Sequence, residues 1–385
     1  MIWFLFLYLI AFPFGQLASF QLFSSARIHI TDLLAAVLVI AWLADLLWQK
    51  RIYKAPHARP LLSFLAVAAF TLILGGIYKD FGNLVIGVMY LLRLALYTAF
   101  FLAVFDIVVK EKRKDIRETL HKSLIIVGTF ISIIGLIGYF LYPDTRALSE
   151  YGWDNHYYRL IGPFLDPAFT GIIIVLSLLA ILLKKWDSLG KLALGIVVFA
   201  TNWLALALTY SRASFVAAIT GAFALFFFRR NPIFIPAAIM LFVGTYYFLP
   251  KEQSAGTNLK RTQTISSRIQ NYQEAWRLGL ANPLFGVGYN LYKKAPQDKT
   301  LQKITHLGSG VHSSLLFTFA TTGVLGLLTF LGFWKKTLEI GLKNKNQYGI
   351  LLFCSAVALL AHSLFDNSLF YPWVLGWLAI LLALQ

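Results

Sequence analysis

The chain is poor in charge. Asp, Glu, Lys and Arg make up 13% of its 385 residues, against about 25% in an ordinary soluble domain. That shortage excludes a conventional solvated surface. Acidic residues are the scarcer half, with 17 Asp and Glu against 34 Lys and Arg. The chain holds one cysteine, Cys354, set in an apolar run. A single cysteine excludes an internal disulfide and suggests no thiolate metal site. No fixed-period repeat or low-complexity stretch is evident. The net charge of +17 would point to nucleic acid in a soluble protein. Here it fits membrane proteins better, because they gather Lys and Arg in cytoplasmic loops.

What is abundant is apolar sequence: 58% of residues are hydrophobic and mean hydropathy is +0.70. The residues come in runs, and a bilayer core about 30 Å thick demands about 20 apolar residues of a helix. The runs predict an all-α integral membrane protein, one membrane domain over 1–385, with about twelve spans. These are 2–21, 31–48, 60–77, 83–105, 121–142, 163–183, 192–209, 213–228, 232–249, 313–334, 350–365 and 367–384. Met1-Ile2-Trp3 opens directly into apolar sequence, which reads as a first span rather than a cleaved signal. Alternate loops differ in charge. One set carries nineteen Lys and Arg, among them Arg51, Lys54, Lys112, Arg113 and Lys114; the short loops of the other carry five, including Lys79. The basic set marks the cytoplasmic side together with both termini, and the long segment 250–312 is expected to face out.

That long segment contains a readable helix. Ser266 or Ser267 can cap its start and Asn282-Pro283 stops it. Ile269, Tyr272, Trp276 and Leu280 recur at helical spacing and predict one apolar face, lying on the membrane or docked on the bundle. Arg268 stands in the first turn. A helix N-terminus with an arginine suits an anion, though a headgroup arginine would look the same. Phe285-Gly286-Val287-Gly288 reads as a loop, since a nucleotide fingerprint needs a preceding strand and a third glycine.

Other polar residues fall near the ends of spans. Arg212, in Tyr210-Ser211-Arg212-Ala213-Ser214, must lie at the interface, lining a cavity or snorkelling to lipid. Arg159 precedes the sixth span. His312 begins the tenth and can exchange a proton near neutral pH. His362 and Asp366 are four apart, hence on one helix face. Arg93 lies inside the fourth span beside Tyr90, so its partner is either another segment or substrate. Asp32 and Asp45 read as a helix start and an interfacial residue. Arg159, Arg212, Arg268, His312, His362 and Asp366 all map to one membrane boundary. Three arginines around a histidine describe a site for a doubly anionic substrate with a proton transfer. No carboxylate cluster accompanies them to hold a divalent metal.

The ordered set Leu208-Thr209-Tyr210-Ser211-Arg212, Ser267-Arg268 with Trp276, Asn282-Pro283-Leu284-Phe285-Gly286-Val287-Gly288, and His312 opening a span with Thr322-Gly323-Val324-Leu325-Gly326 resembles the O-antigen ligase and O-antigen polymerase family. It covers roughly residues 195–335; the remaining spans match in hydropathy alone. The resemblance implies a metal-independent, inverting glycosyltransferase without a cofactor, related to the multi-span class C enzymes. Its donor would be a glycan on undecaprenyl diphosphate, used at the outer face of the bacterial inner membrane. The acceptor would be lipid A–core or another glycan, and nucleic acid is not a partner. The family's functional positions match Arg212, Arg268 and His312; from their placement alone, Arg159, His362, Asp366 and Arg93 are expected as further substrate contacts. The family often places asparagine after its histidine, whereas Ser313 stands here. A lipid-linked-glycan flippase and a cell-wall glycan polymerase are the competing readings.

Overall fold

The computed structural model describes residues 1–23, 26–50, 58–77, 81–110, 115–230, 234–250, 254, 256–259, 263–292 and 310–385. The loop charges Arg51, Lys54, Lys79, Lys112, Arg113 and Lys114 lie outside the described residues, as do several parts of 250–312. The architecture is helical: α1 Ile2–Ala11, α2 Ile30–Trp48, α3 Ala58–Gly76, α4 Phe81–Lys110, α5 Ile116–Leu141, α6 Pro167–Leu183, α7 Leu189–Leu208, α8 Arg212–Arg229, α9 Phe234–Phe248, α10 Gln263–Ala281, α11 Ser314–Lys343, α12 Gln347–Ser363 and α13 Pro372–Ala383. Seven of these are long and apolar enough to cross a membrane, and five shorter apolar helices stand beside them. These helices follow the twelve apolar runs in order.

The differences from expectation have local causes. The first run is not one helix. Pro13 and Gly15 interrupt it, α1 ends at Ala11, and a 3-10 turn follows over Phe12–Ala18. Residues beyond form a small antiparallel hairpin, β1 Ser19–Phe23 with β2 Ala26–His29. At the other end of the chain, the last two helices do not abut. A tight turn with a 3-10 segment at Ser368–Phe370 separates them and carries Asp366.

Packing sorts the helices into inner and outer sets. α6 and α13 are buried nearly all round, with Trp373 and Trp377 fully enclosed. A helix apolar on every face belongs in such a position. α13 packs along α4, α8 along α12, and α11 against both α3 and α12. Outer helices turn large apolar side chains outward, Trp48, Phe223 and Leu328 among them, as a lipid-facing surface requires.

α11 is broken. Gly323 adopts φ 66°, ψ −164°, a conformation essentially closed to other residues. The break frees backbone groups inside an apolar helix, where each unsatisfied group costs several kcal/mol. The Pro283–Gly288 loop fills it. Val287 N donates to Ala320 O at 2.9 Å and Gly288 N to Thr321 O at 3.0 Å, while Val324 N donates to Pro283 O at 2.8 Å. The two glycine-containing pieces of the family pattern are therefore the two halves of one joint.

The helix expected within 250–312 forms, and of the two placements expected for its apolar stripe the outward one is found. Asn271, Glu274, Ala275 and Leu278 are buried, whereas Ile269, Trp276 and Leu280 of the apolar stripe are about half exposed. The bundle takes the face bearing Asn271, and the apolar stripe points away, as in a helix lying in a membrane interface.

Candidate active site

Four short pieces of backbone meet at one end of the bundle. Ser211 caps α8 through Ser214 N, so Arg212 is the first helical residue. Ser313 caps α11 and accepts from Leu316 N, which leaves His312 just outside the helix. Residue 313 therefore acts as a cap, a role asparagine also fills. Asp366 sits in the turn after α12, and α10 lies across this end with Arg268 toward it.

Asp366 is the hub. Its Oδ2 accepts from Arg268 Nη2 at 3.2 Å, and its Oδ1 lies 3.5 Å from His312 Nδ1. Burial pushes the Asp366 carboxyl up, but His312, Arg268 and His362 outweigh it and hold it below the usual carboxylate range. It is a buried anion between two cation-capable groups that are themselves partly open, Arg268 at 29% and His312 at 37% side-chain exposure. His312 turns Nδ1 toward the carboxylate, which leaves Nε2 as the ring nitrogen not facing Asp366.

The other arginines converge without pairing to one another. Arg159 Nε donates to Thr209 O at 3.0 Å, and Leu160 N to Leu208 O at 2.8 Å, which pins the strand before α6 onto the end of α7. Burial pulls the Arg159 guanidinium down to about 10, with Arg268 and Arg212 contributing, so it stays protonated at neutral pH. Arg212 reaches Leu259 O at 3.5 Å and feels the charge of Arg268. Three cations held this close repel each other, and an anion among them relieves the repulsion.

His362 is part of this region in a different way from that expected. It and Asp366 do not form a side-chain pair, because α12 ends at Ser363 and the chain turns. His362 Nδ1 instead meets Ser368 Oγ at 3.0 Å and Nε2 lies 3.4 Å from Ser214 Oγ. It is fully buried and ties α8, α12 and the 368 turn together. Arg93 is engaged elsewhere. Its Nη2 lies 2.8 Å from Asp32 Oδ2, and Asp32 also takes Tyr97 Oη at 3.1 Å and His29 Nδ1 at 3.1 Å. The partner of Arg93 is thus another segment, and Asp32 does more than start a helix.

Sequence reasoning missed three residues. Asn271, buried on α10, clamps the chain at His312: its Oδ1 accepts from His312 N at 2.9 Å and its Nδ2 donates to Gly310 O at 2.9 Å. Tyr272 Oη donates to Leu364 O at 2.8 Å, holding the Asp366 turn. Asp166 caps α6 and feels the charges of Arg159 and Asp366. The signal for Asn271 and Tyr272 was their spacing, one turn after Arg268; for Asp166 it was Asp-Pro at a helix start.

Among the described residues no three His, Cys, Asp or Glu side chains stand together as a metal site. Comparison with curated proteins finds no match. Residues 195–331 match the family model described as O-antigen ligase, and Arg212, Arg268 and His312 all lie inside that stretch. The match covers about a third of the chain, and it falls on nearly the same residues as the motif resemblance, within a multi-pass membrane protein.

Proposed function

We propose that the protein transfers a glycan from undecaprenyl diphosphate to an acceptor hydroxyl at the outer face of the inner membrane. One observation carries the reading: Arg159, Arg212 and Arg268 lie close enough to feel one another's charge, and Arg268 shares Asp366 with His312. The acceptor oxygen bonds to the anomeric carbon as that carbon's bond to the diphosphate oxygen breaks. The configuration inverts in a single displacement. Arg212 and Arg268 stabilise the charge that grows on the departing diphosphate, and His312 Nε2 takes the acceptor proton. Asp366 holds the Nδ1 proton and so keeps Nε2 free.

The transporter reading gains one feature, the discontinuous α11, since broken helices often line transport sites. Its freed backbone groups are taken up by the 283–288 loop, which leaves little there for an ion or substrate to bind.

Purified protein given a lipid-diphosphate glycan and either lipid A–core or a second lipid-linked glycan is expected to produce a joined product with one of them. Activity is expected to persist in EDTA. Movement of the lipid between leaflets with no joined product, or transfer that dies in EDTA and returns with magnesium, overturns the reading.

Asp366 offers a second test. Asp366→Asn keeps the shape but frees Arg268 and loses the hold on the His312 tautomer. It is expected to lower kcat by at least about tenfold with no rise in the donor KM. A raised KM at unchanged kcat would make Asp366 a donor-binding prop instead.

A further inference from the structure

The segment joining α5 to α6 is unlike the rest of the chain. Of the eighteen residues 142–159, five are aromatic and three are acidic, in a protein with 17 acidic residues in all. The segment is pinned into shape. Thr145 N donates to His156 O at 3.0 Å and Tyr158 N to Pro143 O at 2.9 Å, around a bridge between Asp144 and Tyr157. Arg146, held by Asp144 at 2.6 Å, lies over the Tyr157 ring at 4.6 Å. Arg27 of the β1–β2 hairpin lies over the Trp153 ring at 4.4 Å and donates to Tyr151 O at 3.0 Å. Two guanidinium groups thus brace two rings, while Tyr142 and Tyr151 remain open at 73% and 70% exposure. The next residue along, Arg159, is in the active site.

We infer that residues 142–158 form a glycan-binding surface that holds the sugar chain of a substrate as it leads into the reaction centre. This rests on the glycan-transfer reading above. A pyranose has an apolar C–H face and a rim of hydroxyls. Rigid tyrosine and tryptophan rings match the face at low entropic cost, and Glu150, Asp154 and Asn155 supply acceptors for the rim. The competing occupant is the lipid headgroup region, where Tyr and Trp also gather. That belt is normally joined by Lys and Arg. Three carboxylates against anionic headgroups make this segment a poor anchor, and the charge of residues 142–158 is acidic in a strongly basic chain.

The test reads binding apart from catalysis. The oligosaccharide cleaved from the host's own lipid-linked glycan is offered to full-length protein in nanodiscs, and binding is followed by saturation-transfer NMR. Wild type and His312→Ala are both expected to bind it, and Tyr142→Ala/Tyr151→Ala to bind about tenfold more weakly. Equal binding by the double variant overturns the inference, as does a double variant whose only defect is weaker association with anionic vesicles. Kinetics then separate the two sources of glycan. A rise of about tenfold in the KM of the lipid-diphosphate glycan, at constant kcat, assigns the surface to the donor; the same rise for the glycan acceptor assigns it to the acceptor. Neither rising overturns it. Wild-type protein that binds the oligosaccharide but transfers it to no acceptor would defeat the glycosyltransferase reading while leaving the surface in place.

Discussion

Transfer by Arg268→Ala, by Arg212→Ala and by His312→Ala is expected to fall by about 10²–10³ for each arginine and 10²–10⁴ for the histidine, with each protein still folded and inserted. In the proposed mechanism Arg268 and Arg212 meet the leaving diphosphate as forks, so lysine is expected to restore only part of the rate: an ammonium is a point charge that cannot grip two oxygens at once. The Arg268 variant has a second defect, because it leaves Asp366 facing His312 alone across 3.5 Å. Arg212→Lys and His312→Gln are the decisive measurements. An arginine that merely snorkels tolerates lysine, and an interfacial histidine tolerates glutamine. Wild-type rates in both would remove these residues from the reaction.

The Gly323→Val protein is expected to lose activity and much of its stability together. A Cβ at residue 323 would stand 2.3 Å from the backbone carbonyl of Leu284, and the backbone conformation there is glycine's own. The strain of about 1–3 kcal/mol adds to the backbone hydrogen bonds lost when the 283–288 loop is pushed out, each worth about 1 kcal/mol net. Gly332→Ala is the control, since a Cβ there meets nothing within 4 Å. Thermal unfolding in detergent and protease cleavage near residue 284 report the two effects. Unchanged melting in Gly323→Val would mean that the loop does not hold the break.

The sequence made the membrane helices legible because hydrophobic length is dictated by the bilayer and requires no partner. It was also informative about which side chains lie near one another. Arg159, Arg212, His312, His362 and Asp366 fall near span ends and Arg268 lies early in α10, and the structure brings all six to one end of the bundle. Pairing was not legible. His362 and Asp366 have helical spacing, but the helix stops between them, and their partners come from α8 and from His312 and Arg268. Which way α10 turns its apolar stripe was left open for a related reason. Apolar periodicity identifies a stripe but not what it meets, and here the bundle takes the side of Asn271, whose amide satisfies backbone groups beside His312. The break in α11 left only Thr322-Gly323 and two distant glycines as clues. Its meaning lies in hydrogen bonds between segments some 35 residues apart.

That joint also bears on how the protein is made. Residue 323 lies nine residues into α11, about 14 Å along a helix. A nascent α11 released into lipid by itself would carry bare amide and carbonyl groups at that depth. The Pro283–Gly288 segment is synthesised first, so its backbone is already available when the helix leaves the ribosome. Membrane integration of α11 is then completed by a neighbouring loop and not by another helix. The His312–Asp366 pair forms later, once the turn after α12 has been made, so the joint in α11 can close before the site is complete.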